Sequence, residues 1–129
     1  MSEKRIVVRG YHLDLYNHVN HARYLEFLEE ARWTYFEEKH PIEWFVKNGI
    51  GFVIANININ YRKPAVLNQV LVIKTNLAKT GTKSVVVEQV IYLEGTEIIV
   101  ADASVTIVMV DLKTGKSMLI NDELREMFS

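Results

Sequence analysis

One segment, residues 21–38, has the length and apolar spacing of a helix, and most other segments have the patterns of β-strands. This combination limits the folds that the chain can adopt. Within residues 21–38, apolar side chains recur at three- and four-residue steps: Tyr24, Phe27, Leu28, Ala31 and Tyr35. This spacing predicts an amphipathic helix with one buried face. Asn20 is its predicted N-cap and Pro41 its predicted stop. The segment also holds five Glu and two Arg, which predicts that its opposite face contacts solvent.

Most of the remaining chain carries the patterns of β-strands. Residues 52–63 alternate strictly, and Pro64 follows. The alternation predicts a strand with one apolar face and one asparagine face. The apolar face would hold Val53, Ala55, Ile57, Ile59 and Tyr61, and the other face Asn56, Asn58 and Asn60. Further strands are predicted over 4–10, 69–78, 84–93, 97–110 and a terminal piece at 116–120, and short helices over 42–49 and 122–128.

One long helix and about five antiparallel strands have one economical arrangement, in which a curved sheet wraps the helix and buries its apolar face. The sequence therefore predicts an α+β fold, with residues 1–129 forming a single domain. The unbroken apolar run at 105–110 further predicts a strand buried on both faces. Since a single helix covers only one face of the sheet, this run predicts an oligomer.

Composition removes several classes of function. The 129 residues carry a net charge of −1, so no general basic surface exists to hold nucleic acid. The absence of cysteine excludes disulfides, thiolate nucleophiles and sulfur-ligated zinc. The first ten residues do not have the pattern of a signal peptide. No apolar run approaches the roughly 20 residues of a membrane span, and a cytoplasmic location is predicted.

The segment just before the predicted helix is dense in polar and titratable groups. Within eight positions lie Asp14, Asn17, His18, Asn20 and His21, and His12 is close by. Three interpretations remain open from the residues alone. The histidines and Asp14 could ligate a metal, or the cluster could serve only turns and a helix cap. Alternatively, the amides of the helix start could polarise a carbonyl that Asp14 attacks, directly or through water.

Other catalytic patterns are weak or missing. No serine stands in a G-x-S-x-G setting, and the sequence contains neither a P-loop nor a G-x-G-x-x-G motif. The carboxylates Glu26, Glu29 and Glu30 have helical spacing, which is more typical of a solvated helix face than of a catalytic pair.

The segment "RGYHLDLYNHVNHARYLEFLEEAR" resembles the signature of the hotdog-fold acyl-CoA thioesterases, the superfamily of 4-hydroxybenzoyl-CoA thioesterase. That signature runs D-x-x-x-H-V-N-N-x-x-Y and continues into a helix with E-x-A-R. The similarity extends through "NININYRKPAVL" and "VADASVTIVMVDLKTGK" and is strongest to the bacterial long-chain acyl-CoA thioesterases. The resemblance implies a hotdog fold, with a long central helix wrapped by the sheet.

The resemblance also implies roles for individual residues. The family's catalytic carboxylate falls on Asp14, and the helix-start amide that polarises the thioester carbonyl falls on His21. His18 matches the motif histidine and is included among the catalytic residues. Many relatives have a second Asn in place of His21, which leaves the role of its imidazole open. The remaining implied substrate contacts are Asn20, Tyr24 and, for the coenzyme A phosphates, Arg62 and Lys63.

The implied reaction is hydrolysis of a medium- to long-chain fatty acyl-CoA without cofactor or metal. The implied assembly is a homodimer or homotetramer with active sites between subunits. Two alternatives remain at this stage. A hotdog hydratase or dehydratase would use a carboxylate of the long helix, such as Glu30, and a non-catalytic protein would bind acyl-CoA without releasing thiol.

Overall fold

The computed structural model describes residues 2–128, which form one five-stranded antiparallel sheet and three helices. The strands are β1 (Ser2–Val7), β2 (Ile50–Tyr61), β3 (Val70–Thr80), β4 (Ser84–Leu93) and β5 (Ile99–Asp111), in the spatial order β1-β3-β4-β5-β2. The helices are α1 (His21–Glu37), α2 (Ile42–Lys47) and α3 (Asp122–Met127), and a single 3-10 turn spans Gly10–His12. The predicted α+β architecture is confirmed.

Helix α1 begins and ends where its sequence signals lie. The Asn20 side chain accepts a hydrogen bond from the Ala22 amide at 3.0 Å, and so supplies one of the acceptors that the first turn lacks. The helix ends four residues before Pro41. Its buried face carries the five apolar residues of the predicted pattern, together with Phe36 and Arg32. The burial of Arg32 contradicts the prediction that the charged residues of α1 contact solvent.

Strand β2 departs from the strict alternation that its sequence predicts. A bulge at Ala55 shifts the pairing with β5, so that Ile54 lies opposite Ile107 but Asn56 lies opposite Thr106. The extra residue places Val53 on the outer face of the sheet, whereas Ile57 points to the inner face. The prediction that these two residues share a face is therefore wrong.

The predicted terminal strand at 116–120 does not form as a strand. Ser117 makes one isolated bridge with Val110. The Ile120 amide then donates to the Thr82 carbonyl, which lies in the turn between β3 and β4. The segment thus crosses the end of the sheet and leads to α3 instead of pairing along β5.

The two faces of the sheet differ in burial. Along β5, the residues on the inner face (Val105, Ile107 and Met109) are buried, and the intervening Thr106, Val108 and Val110 are only half-buried. In the single chain, the run 105–110 is therefore covered on one face only. Helix α1 packs most closely on β1 and β3, which leaves the inner face of β2 less covered. Within residues 2–128, no helix has the length and apolar character needed to cross a membrane.

Candidate active site

The polar cluster forms a tight hairpin, here called the site loop (residues 8–20). Leu13 and Val19 form an antiparallel bridge, and the Asp14 amide donates to the His18 carbonyl at 2.9 Å. Asn17 closes the turn with φ of 61°, a left-handed conformation that asparagine tolerates better than most residues. The loop is anchored at its far end by the Val19 amide, which donates to the Ala65 carbonyl.

The Asp14 carboxylate is half-buried and helps to shape this turn. Its Oδ1 accepts hydrogen bonds from the amides of Tyr16 at 2.9 Å and His18 at 3.4 Å. Both bonds go to the same oxygen, so Oδ2 remains for other interactions. The backbone amides thus fix the orientation of the carboxylate through Oδ1 and leave Oδ2 free of these bonds.

The start of α1, which follows this turn in the chain, provides backbone amide donors. The Asn20 side chain and carbonyl accept from the amides of Ala22 and Arg23. His21 is the first helical residue, a position whose amide has no acceptor within the helix. An amide of this kind, at the positive end of the helix dipole, can stabilise a developing oxyanion.

Two tyrosines extend the site from the helix start towards the sheet. The Tyr61 hydroxyl donates to the His21 carbonyl at 3.2 Å, and its ring contacts the rings of His21 and Tyr24 at centroid distances of 6.3 and 5.6 Å. Sequence analysis identified Tyr24 but did not identify Tyr61 as part of this site. The only signal was that Tyr61 ends the apolar face of its strand directly before Arg62 and Lys63.

The Tyr24 hydroxyl is buried and has no hydrogen-bond partner of normal geometry within residues 2–128. Burial raises the pKa of this phenol, the backbone of Ala65 opposes the shift, and the charges of Tyr61 and Asp14 raise it further. The raised pKa keeps the hydroxyl protonated at neutral pH, so it is a buried donor that lacks an acceptor within residues 2–128.

The histidines of the cluster do not converge. The His12 ring is buried against Phe27, and its Nδ1 accepts from the Arg9 amide at 2.9 Å. His18 and His21 have exposed side chains. Among residues 2–128, no three His, Asp or Glu side chains lie close enough to ligate one metal ion. The arrangement therefore offers a carboxylate and helix amides but no metal site.

The two cations at the end of β2 have different partners. Arg62 forms a two-pronged contact with Asp102, with its Nε 2.8 Å from Oδ2. This contact raises the pKa of the Arg62 guanidinium and lowers the pKa of the Asp102 carboxyl. Lys63 forms no ion pair with any carboxylate in the described part of the chain, and its side chain is exposed. Lys63 is thus the more available of the two cations.

The glutamates of α1 lie on its outer surface. Glu26 pairs with Arg23 at 2.8 Å, Glu30 pairs with Lys4 at 3.6 Å, and the Trp33 ring nitrogen donates to Glu29. These exposed contacts agree with the interpretation of the three carboxylates as a solvated helix face. Glu30 is held on the β1 side of the helix, away from β2.

Comparison with known proteins extends these observations. A profile of the thioesterase-like superfamily matches residues 8–128. The chain is 52% identical over 124 residues to the long-chain acyl-CoA thioesterase FadM of Escherichia coli (strain K12), covering 96% of this chain and 94% of the relative. It is 28% identical over 115 residues to the acyl-CoA thioesterase YbgC of Haemophilus influenzae, covering 85% of this chain and 81% of the relative.

Solved structures give the same result for the fold. The crystal structure of YbaW, a probable thioesterase from Escherichia coli, superposes with a TM-score of 0.91 at 51% identity and covers 98% of this chain and 96% of the other. A probable thioesterase from Bartonella henselae superposes with a TM-score of 0.83 at 26% identity, with coverage of 92% and 98%. The predicted hotdog fold and family resemblance are confirmed, and the chain belongs to the thioesterase-like superfamily.

Proposed function

We propose that this protein hydrolyses fatty acyl-CoA thioesters of medium to long chain, releasing a free fatty acid and coenzyme A. Membership of the thioesterase-like superfamily and 52% identity to a long-chain acyl-CoA thioesterase support this function. The observation that carries the proposal is a half-buried carboxylate, Asp14, whose Oδ2 is not used by the turn amides, in the loop that leads into the uncapped amide of His21 at the start of α1.

In this mechanism, Asp14 acts on the thioester carbonyl carbon. Its Oδ2 either attacks that carbon or takes a proton from a water molecule that attacks it. The electron pair of the C=O bond moves to the oxygen, where the His21 amide stabilises the negative charge. Collapse of this intermediate breaks the C–S bond and releases the coenzyme A thiolate. The thiolate takes the proton that Asp14 removed from water or, in the direct route, a proton from solvent. In the direct route, water then hydrolyses the mixed anhydride and regenerates Asp14.

The neighbouring polar groups have supporting roles in this proposal. Asn20 fixes the helix start through its cap to Ala22, and by this means it holds the His21 amide in place. The buried hydroxyl of Tyr24 donates to an oxygen of the bound substrate and gains the acceptor that it lacks. His18, whose ring is exposed beside the Asp14 turn, positions the attacking water.

The cations after β2 would contact the phosphates of coenzyme A. Lys63 is exposed and does not pair with a carboxylate of the described residues, so it is the primary contact. Arg62 is held by Asp102, which fixes its guanidinium but weakens its field. These residues follow Tyr61 directly, and the His21–Tyr61 hydrogen bond places this end of β2 beside the helix start.

We further propose that the protein works as a homodimer or homotetramer with active sites at the subunit interface. Strand β2 lies at an edge of the sheet, is twelve residues long and is largely exposed. An uncovered apolar edge strand of this length is a pairing surface, and a second copy of β2 would satisfy it. The half-buried outer face at Val108 and Val110 offers a second contact surface. A cytoplasmic location stays a prediction.

A thiol-release assay with a panel of acyl-CoAs tests this function. The wild type should release free thiol. If no acyl-CoA in the panel yields free thiol, hydrolysis is rejected in favour of binding alone. We expect Asp14→Asn to lower kcat/KM by about 10² to 10⁴. Asparagine keeps Oδ1 as an acceptor for the turn amides, so the loop should stay folded.

Asp111→Asn is the matched control for this experiment. Asp111 Oδ1 also accepts an amide two residues ahead, from Lys113 at 2.8 Å, but it lies at the other end of the sheet. Its variant should retain wild-type kcat/KM. A near-normal kcat/KM for Asp14→Asn would remove Asp14 from the mechanism and leave the function itself standing.

A further inference from the structure

The site loop carries the most exposed large apolar side chains of the molecule. Within residues 2–128, these are Tyr11, Leu15 and Tyr16, which are 72, 88 and 75% exposed. Scattered apolar residues on a protein surface are normal, but here the most exposed ones lie within six positions of one loop. The proposed mechanism uses the carboxylate of Asp14 and none of these three side chains.

The turn at the end of the loop does not itself require apolar residues. Residues 14–17 form a β-turn, in which the Asn17 amide donates to the Asp14 carbonyl at 3.0 Å. Leu15 and Tyr16 occupy its two central positions, whereas Gly, Pro, Asn, Asp and Ser dominate turns in general. The flanking residues hold the turn, Asp14 through its carboxylate and Asn17 through its left-handed backbone. The side chains of Leu15 and Tyr16 have no part in this.

A second apolar segment lies beside the turn. Val66 and Leu67 are exposed, and together with Tyr16 they line one concavity. The Val19 amide, near the end of the site loop, donates to the Ala65 carbonyl at 2.9 Å and so joins the two segments. They form a single exposed surface, here called the apolar tip (Leu15, Tyr16, Val66 and Leu67).

Cations flank the apolar tip. Residues 8–20 and 61–69 hold three of them, Arg9, Arg62 and Lys63, and one carboxylate, Asp14. Arg62 is paired with Asp102, but Arg9 and Lys63 are exposed and form no ion pair with a carboxylate of the described residues. The whole chain has a net charge of −1, so this end is positive on a molecule that is negative elsewhere. Exposed apolar side chains beside free cations suit an anionic lipid surface.

We propose that the apolar tip docks on the surface of an anionic lipid bilayer. Leu15 and Tyr16 insert among the headgroups, and the field of Arg9 and Lys63 attracts the lipid phosphates. Tyrosine suits this position, because its ring is apolar and its hydroxyl can stay hydrated. The Asp14 carboxylate already fixes the turn, so docking costs little conformational freedom.

Docking would bring the candidate active site to a surface where its proposed substrate collects. Leu15 follows Asp14 directly in the chain. A long-chain acyl-CoA is an amphiphile, and burial of its methylenes favours a bilayer while its nucleotide stays in water. This consequence rests on the proposed function. The docking itself does not, so the two can fail separately.

Co-sedimentation with lipid vesicles tests docking without any hydrolysis. The wild type should bind vesicles of phosphatidylcholine that contain about 30% phosphatidylglycerol, and about tenfold more weakly vesicles of phosphatidylcholine alone. The double variant Leu15→Ser/Tyr16→Ser should bind the anionic vesicles about tenfold more weakly than the wild type, because it loses the inserted apolar area. Arg9→Gln should weaken binding about fivefold and reduce its dependence on salt.

The double variant Val46→Ser/Leu119→Ser is the matched control. It removes two apolar side chains that are 59 and 61% exposed elsewhere on the molecule. Val46 lies in α2, and Leu119 precedes Ile120, whose amide bonds to the turn between β3 and β4. Because both positions are distant from the site loop, this variant should bind the vesicles as the wild type does.

Several outcomes would overturn the proposal. They are no binding of the wild type to the anionic vesicles, equal binding by Leu15→Ser/Tyr16→Ser and the wild type, and an equal loss in the control variant. A changed oligomeric mass in Leu15→Ser/Tyr16→Ser, with no vesicle binding by the wild type, would identify the tip as a subunit contact and also overturn it. Vesicle binding by a wild type that hydrolyses no acyl-CoA would support docking and reject the proposed function alone.

Discussion

The Tyr61 hydroxyl donates a hydrogen bond to the carbonyl oxygen of His21 across 3.2 Å, joining residues 40 positions apart. The bond ties the end of β2 to the first residue of α1. Both the amide proposed to hold the oxyanion and the cations proposed to meet coenzyme A depend on this junction. Tyr61 is therefore a positioning residue for the proposed reaction.

Tyr61→Phe should weaken catalysis without unfolding the protein. A single hydrogen bond of this kind contributes about 1 kcal/mol, which corresponds to about a fivefold fall in kcat for an acyl-CoA. The KM should change little, because the ring and its contacts remain. Tyr92→Phe removes a hydroxyl from the outer side of β4 and should leave kcat unchanged. An unchanged kcat in Tyr61→Phe would show that the junction has no role in catalysis.

Arg32 and Gln89 form the buried polar contact between helix and sheet. Gln89 accepts from Arg32 at 3.1 Å and donates to the Leu28 carbonyl and the Thr75 hydroxyl, both at 3.0 Å. Burial lowers the pKa of Arg32, since its guanidinium loses hydration and no carboxylate of residues 2–128 pairs with it. The charge thus relies on one neutral partner.

We expect Gln89→Met to destabilise the protein by about 3 kcal/mol, because it leaves the buried charge of Arg32 and the buried hydroxyl of Thr75 without a partner. Arg32→Met should cost less, about 1 to 2 kcal/mol, because it removes the charge itself. The double variant should be more stable than the sum of the two losses implies. Urea unfolding measures each value, with the exposed Glu88→Met as control. If the loss of unfolding free energy in the double variant equals the sum of the two single losses, Arg32 and Gln89 are not coupled.

Lys63 should affect binding of coenzyme A more than Arg62 does. Lys63→Ala should raise KM for an acyl-CoA by about fivefold, the equivalent of one exposed charge contact, with kcat unchanged. The increase should shrink at high salt. An acyl-pantetheine substrate lacks the nucleotide phosphates and should not distinguish the variant from the wild type. A larger effect in Arg62→Ala would reverse the order proposed for the two cations.

Local sequence signals predicted the parts of this fold that local interactions determine. The spacing of apolar residues, the Asn20 cap and Pro41 gave α1 to within one residue. Gly49, with φ of 72°, ends α2 as its position suggests. The cluster of polar residues before α1 likewise indicated the candidate site. Turn and cap residues hydrogen-bond to backbone groups close to them in sequence, so a local pattern is enough to reveal them.

Contacts distant in sequence could not be predicted in this way. The bulge at Ala55 is a property of the β2–β5 pairing, and no residue in β2 alone marks it. Arg32 is buried because Gln89, 57 residues later, accepts its hydrogen bond. Tyr61 reaches His21 only once the sheet brings the end of β2 to the helix start. Each of these three features depends on how two distant elements pair. The alternation and spacing of apolar residues within one segment do not encode that register.

His12 gives the protein a pH-dependent stability. Burial is the main cause that lowers the pKa of its imidazole, and the positive charge of Arg23 adds to it. Because the pKa is lower in the folded state than in the unfolded state, the unfolded chain binds the proton first as the pH falls. The contribution of His12 to stability is therefore complete above the ordinary value of about 6.5 and is lost as the pH falls towards the lower folded value.

The urea midpoint of the wild type should accordingly decrease between pH 7.5 and pH 5, in part because of His12. In the wild type, the Arg9 amide donates to Nδ1 of His12 at 2.9 Å. His12→Asn keeps an acceptor for this amide but removes the titrating ring. This variant should show a smaller decrease over the same range. His18→Asn changes an exposed ring of the same loop and should retain the wild-type dependence. An equal decrease in His12→Asn and the wild type would place the pH dependence elsewhere.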